Sequence, residues 1–101
     1  MRGHAAAKPT VNEILDSRER LNRASADFLK IDVDTALTFL HIARQATDKI
    51  RQQRNCRAAR RAYETVTRLM QKVRLSEDDA QILTHGLEQL RRELEGMGEE
   101  F

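Results

Sequence analysis

The chain has few of the residues that a β-sheet needs. Its 101 residues include no Trp, one Tyr and three Phe, so aromatic residues make up 4% of the sequence. It has four Gly and one Pro, and Gly86 is the only one of these five residues that lies within residues 10–95. Sheets favour β-branched and aromatic residues, and β folds need frequent turn residues. We therefore expect an all-α fold, and the length allows one domain with a modest core.

A single cysteine and the lack of long apolar runs restrict the cellular compartment. Cys56 has no second cysteine with which to form an internal disulfide, which suits a reducing environment. No apolar run approaches the roughly 20 residues of a membrane span. Residues 1–9 begin with a positive charge but lack the apolar core of a signal peptide. These features favour a cytoplasmic protein without membrane association.

The formal net charge of +2 hides a division of charge along the chain. Residues 44–74 contain ten Lys or Arg and two acids, a net charge of +8, whereas residues 75–101 contain two Arg and eight acids, a net charge of −6. The first 43 residues balance at six and six. Such a division either holds the chain to itself or marks a surface for a partner.

Apolar spacing and capping residues predict a four-helix antiparallel bundle in a single domain of residues 10–96. Thr10 and Glu13 form a capping box at its start. Ser76 precedes three acids and caps the last helix, which Gly96 ends. Residues 1–9 are expected to be disordered and residues 97–101 to fray. The predicted helices cover about residues 11–30, 33–50, 55–74 and 77–95.

Two of the predicted breaks depend on less direct signals. In the segment 31–34, either Asp32 or Asp34 is able to cap a new helix. A second break within residues 47–55 follows from a change of phase, because Ile50 lies about 180° from Ala59 on the helical wheel.

The first two predicted helices differ in their apolar patterns. Ile14, Leu21 and Phe28 recur at heptad spacing in the first helix, and we expect this narrow stripe to cover the bundle. The second helix is apolar nearly all round, from Val33 to Ala46, which is typical of the most buried helix of a bundle.

The third predicted helix carries the candidate binding residues. Arg54, Arg57, Arg61 and Arg68, which we call the arginine flank, lie at i, i+3, i+7 and i+14 on one side of it. Guanidinium groups suit bidentate contacts with carboxylates and phosphates, so the arginine flank would meet an acidic protein or, alternatively, a nucleic acid without sequence preference. Against nucleic acid, no aromatic residues are interleaved for base stacking.

The acidic fourth helix offers a competing interpretation of the arginine flank. As the antiparallel neighbour, it would bring Glu88, Glu93 and Glu95 close to several arginines. Exposed pairs of this kind contribute only about 0–1 kcal/mol each. A solvated or internally paired face is therefore the simpler interpretation, and we expect some arginines to stay unpaired.

Catalytic and metal chemistry have little support in the sequence. His41 and His85 lie on different helices without a recognisable ligand pattern, so we expect no metal, and His41 reads as a partly buried histidine with a satisfied hydrogen bond. Cys56 has arginines nearby in sequence, which would lower its pKa, but no adjacent histidine and no glycine-rich loop accompany it. A cysteine beside alanines at the start of an apolar stripe is more often a small residue packed in the core. We expect neither a cofactor nor an enzyme.

One helical hairpin resembles a known repeat. Phe39, Ile42 and Ala43, followed by Ala59 and Tyr63, resemble the two helices of a single tetratricopeptide repeat over residues 36–70. The spacing from Ala43 to Ala59 is four residues too long, the Pro expected after the second helix is absent, and no second copy follows. The resemblance implies a groove that binds a peptide or a protein.

Together these patterns predict a non-catalytic helical module that binds another protein. Its candidate binding residues are those of the arginine flank, and its partner would have an acidic surface. Nonspecific nucleic-acid binding by the same flank is the alternative. Self-association through a leucine seam of the last helix is a third possibility. The seam consists of Leu83, Leu87, Leu90 and Leu94.

Overall fold

A computed structural model describes residues 10–101 as three helices with no strand among them. Helix α1 covers Val11–Gln45, α2 covers Lys49–Met70 and α3 covers Glu77–Gly96. The expected all-α class is confirmed, but the four-helix bundle is not supported, because the first two predicted helices are one continuous helix. The predicted disordered segment 1–9 lies outside the described residues.

Helix α1 continues through the segment 31–34, where a break was predicted. Val33 and Ala36 are buried and keep the spacing of the buried residues before them, so a straight helix suits the core on both sides of this segment. Asp34 is exposed, and its carbonyl accepts a hydrogen bond from the Thr38 hydroxyl at 3.0 Å. Asp34 therefore lies on the outer side of a continuous helix, and its side chain does not act as the cap of a new one.

The other helix ends follow local capping signals. Thr10 and Glu13 form the predicted capping box. The Thr10 nitrogen lies 3.2 Å from the Glu13 carboxylate, and the Glu13 nitrogen lies 3.1 Å from the Thr10 hydroxyl oxygen. The break between α1 and α2 falls at residues 46–48, and the Asp48 side chain caps α2 by accepting from the Ile50 N–H. Ser76 caps α3 as predicted. Helix α2 ends at Met70, four residues earlier than expected.

The three helices pack around two adjoining apolar clusters. The cluster near the α1–α2 connection combines Ala36, Leu40, Ala43, Cys56, Ala59, Leu90 and Leu94. The other combines Leu29, Val33, Val66, Leu83 and Leu87. This order along the chain makes α2 antiparallel to both α1 and α3. All four leucines of the α3 seam are buried here, so they are not an exposed surface for self-association.

Helix α1 is much longer than the helices that pack on it. At 1.5 Å per residue its 35 residues span about 52 Å, against about 33 Å for the 22 residues of α2. Residues 11–21 are all exposed, and the first buried residue is Ala26. The stripe of Ile14, Leu21 and Phe28 therefore does not cover the bundle as we expected, and it lies exposed on α1.

The C-terminal residues after α3 contact α2. Gly98 adopts a positive φ of 97°, and its N–H donates to the Glu95 carbonyl, which turns the chain back after the helix. The centroid of the Phe101 ring then lies 5.0 Å from the centroid of the Tyr63 ring, in an edge-on arrangement. Residues 97–101 were expected to fray, but these contacts hold them against the bundle.

Candidate functional site

The arginine flank forms the outer face of α2. Arg54, Arg57, Arg61 and Arg68 are all exposed. Successive helical residues differ by 100°, so these four lie within about 60° of one another and nearly opposite the buried Cys56, Ala59 and Val66. The span from Arg54 to Arg68 is about 21 Å. The structure thus brings all four predicted residues together on one face.

None of the six ion pairs found within residues 10–101 uses the arginine flank. The acids of α3 pair elsewhere: Glu93 bonds Arg44 of α1, and Glu95 pairs with Arg91 of its own helix. Because α3 packs against the inner side of α2, its carboxylates do not reach the outer face. The interpretation of the flank as internally paired is therefore not supported in this part of the chain.

Arg60 differs from its neighbours and was not singled out from the sequence. Its guanidinium lies 3.3 Å from carboxylate oxygens of both Glu64 and Glu99, and it donates to the Glu100 carbonyl at 2.8 Å. It also lies over the Phe101 ring, 3.9 Å from the ring centroid. On the helical wheel Arg60 lies about 90° from the centre of the arginine flank, and this angle is the sequence signal that separates it from the flank.

Cys56 is a buried core residue. Burial raises the pKa of its thiol, and the negative charge of Glu99 raises this pKa further. The sequence suggested the opposite direction, because arginines stand nearby in the chain. Arg54 and Arg57 are exposed to solvent, however, and Arg60 is paired with carboxylates. The result is a buried thiol with a raised pKa beside an open depression of about 670 Å³.

The histidines do not form a metal site in the described part of the chain. His41 and His85 are both exposed, so the expected partial burial of His41 is wrong. Within residues 10–101 no group of three or more His, Cys, Asp or Glu side chains is arranged to hold a metal ion.

Among the described residues, no helix combines the length and the apolar character that crossing a membrane requires.

Comparison with known proteins found no similar protein: no protein-family model, no curated protein and no solved structure matches this chain.

Proposed function

We propose that this chain is a non-catalytic interaction module that binds an acidic protein surface through the arginine flank of α2. The observation that carries the proposal is that four exposed guanidinium groups share one face without an ion pair among residues 10–101. Each guanidinium offers five N–H donors in a planar fork, which matches a carboxylate. A row of carboxylates on a partner helix or strand suits this face.

An apolar residue in line with the arginines favours a protein over a nucleic acid. Ile50 lies on the same side of α2 and is 66% exposed. Arginine together with an apolar anchor is typical of protein interfaces. Binding single-stranded nucleic acid uses exposed aromatic rings for stacking, and Tyr63, the one aromatic residue of α2, is half-buried against Phe101.

The resemblance to a tetratricopeptide hairpin supports the same kind of function. Its two small positions, Ala43 and Ala59, are fully buried in one cluster, where they allow α1 and α2 to approach closely. A hairpin of that family would bind a peptide or a protein. The tetratricopeptide-like packing and the cytoplasmic location remain predictions from the sequence.

Fluorescence anisotropy with a labelled amphipathic peptide of Glu and Leu tests the proposal. The Arg57→Gln/Arg61→Gln variant should bind this peptide more weakly than the unmodified chain, by up to about thirtyfold, because each of the two lost ion pairs contributes up to about 1 kcal/mol. The matched control, Arg74→Gln/Arg92→Gln, removes the same charge from exposed arginines outside the flank. Equal losses in both variants, or no binding of the acidic peptide, would overturn the proposal.

Short duplex DNA in the same assay tests the nucleic-acid alternative. Four phosphate contacts would lower the DNA affinity about a hundredfold when the salt concentration rises fourfold. If DNA binds more tightly than the acidic peptide at low salt and shows this dependence, the protein-binding proposal is wrong and the alternative takes its place.

A further inference from the structure

Helix α1 has a second apolar face that no part of the described chain covers. Leu21 and Phe28 are each 67% exposed, and Ile31 is 61% exposed. They belong to a series at alternating three- and four-residue spacing, which we call the outer stripe. The outer stripe consists of Leu21, Ala24, Phe28, Ile31, Thr35, Thr38 and Ile42, all of which are exposed.

The outer stripe has the geometry of a helix–helix seam. Its spacing averages 3.5 residues, as in the a and d positions of a coiled coil. It lies about 130° around α1 from the buried residues that contact α2 and α3, so a further helix is able to reach it. From Leu21 to Ile42 it extends about 32 Å, which is nearly the whole length of α2.

Charges on both sides of the outer stripe change sign along α1. Arg18 and Arg20 stand on opposite sides of the stripe near its start, and Asp32 and Asp34 stand on the corresponding sides farther along. All four lie in the positions that border a coiled-coil seam. A second copy in the opposite direction therefore presents acids where this copy presents arginines.

We propose that the outer stripe binds a second copy of this chain in antiparallel orientation. The pairing that sets Leu21 opposite Ile31 of the second copy also sets Ala24 opposite Phe28. It brings Arg20 beside Asp34 of the second copy, and the two-fold symmetry repeats this contact.

The same register brings Arg18 beside Asp32 of the second copy. Because the two-fold axis repeats both contacts, four ion pairs border the seam. Asp27 meets its own copy at the two-fold axis. Lys30 lies 3.9 Å from Asp27 on the same helix, but its nearer partner is Asp79 of α3 at 2.5 Å. A parallel pairing instead places Asp27 beside Asp32 of the second copy, and the repulsion between these carboxylates disfavours it.

The exposed first third of α1 gains a partner in this arrangement. Residues 11–21 extend beyond the bundle of their own chain and contact neither α2 nor α3 closely enough to be buried. In the antiparallel dimer they lie along residues 31–41 of the second copy. Dimer formation uses a different helix from the arginine flank, so the inference does not depend on the proposed function.

Sedimentation equilibrium over micromolar to millimolar concentrations tests the dimer. The chain should approach twice its mass of 11.7 kDa. Phe28→Glu should weaken dimer formation by about a hundredfold or more, because it places a charge within the seam of both copies. Ile82→Glu is the matched control, since Ile82 is 54% exposed on α3 and lies off the stripe. Its dimer constant should stay within about threefold of the unmodified value.

A charge exchange tests the orientation. Arg20→Asp and Asp34→Arg should each weaken the dimer roughly tenfold, and the double variant should restore it. Circular dichroism verifies that each variant keeps its helix content. A monomer at every concentration, an unchanged dimer constant for Phe28→Glu, or a double variant weaker than both single variants would overturn the proposal.

Discussion

Gly86 provides a test of how closely α1 and α3 approach. It lies in the interior of α3, and a Cβ added there would be 2.8 Å from the Cγ1 atom of Val33 on α1. Real Cβ atoms do not come that close to a neighbour, so something has to move. We expect Gly86→Ala to destabilise the fold, even though alanine is the better helix former.

Two opposing effects determine the size of this change. Alanine in a helix interior is more favourable than glycine by about 1 kcal/mol. Overpacking of a core generally costs about 1–3 kcal/mol. Val33 is buried and β-branched, so its side chain has few rotamers with which to avoid the new methyl group. We expect the free energy of unfolding to fall by about 1 kcal/mol, or the melting temperature by about 4–8 °C.

A second substitution reverses the sign of the effect. Val33→Ala removes the Cγ1 atom and by itself lowers the free energy of unfolding by about 2 kcal/mol. In that background, Gly86→Ala no longer meets the methyl group, and it should stabilise the fold by about 1 kcal/mol through helix propensity. The coupling between the two positions is then about 2 kcal/mol.

Urea unfolding followed by circular dichroism measures all four proteins of this cycle. A low and constant protein concentration keeps self-association from contributing to the measured stability. If Gly86→Ala stabilises the unmodified chain as much as it stabilises Val33→Ala, the two helices do not approach closely at this point and our explanation of the glycine is wrong.

Two further predictions concern titratable groups. The hydrogen bond between Lys30 and Asp79 raises the pKa of Lys30 from its ordinary value of 10.5 and lowers the pKa of Asp79 from 3.8. Their stabilisation is therefore complete between these two values and is lost as pH falls through the lowered pKa of Asp79 or rises through the raised pKa of Lys30. Asp79→Asn should weaken the acid dependence of stability measured by urea unfolding, and an unchanged acid dependence would contradict the pairing. Because burial and then Glu99 raise the pKa of the Cys56 thiol, the folded chain should react with iodoacetamide much more slowly than the chain in urea, and equal rates would contradict its burial.

The helix ends show where local sequence was sufficient. The capping box at Thr10 and the N-cap at Ser76 were predicted and are present. A cap depends on a side chain and a backbone N–H only two or three residues apart, so the interaction is complete within the local sequence. The segment 31–34 also contains residues that are able to cap a helix, Asp32 and Asp34, but α1 continues through it without a break. Whether Asp32 caps a helix or faces outward depends on whether Val33 has a core on which to pack.

The arginine flank shows the same division between local and distant information. Helical periodicity placed its four residues on one face, and they do share a face. The sequence predicted that some of them stay unpaired, but not that all four lack an ion pair among residues 10–101, because the acids of α3 had a second possible neighbour. Glu93 pairs with Arg44 of α1, 49 positions away in the chain.

By itself, the sequence determined an all-α fold, the N-terminal caps of α1 and α3, and the arginine face of α2, because each depends on composition or on residues within a few turns. Only the tertiary structure decided that one of the two apolar faces of α1 packs in the core, while the other stays exposed. It also explained Gly86, whose missing side chain makes room for Val33. Both outcomes depend on the relative orientation of helices that are distant in sequence, and helical periodicity carries no information about that orientation.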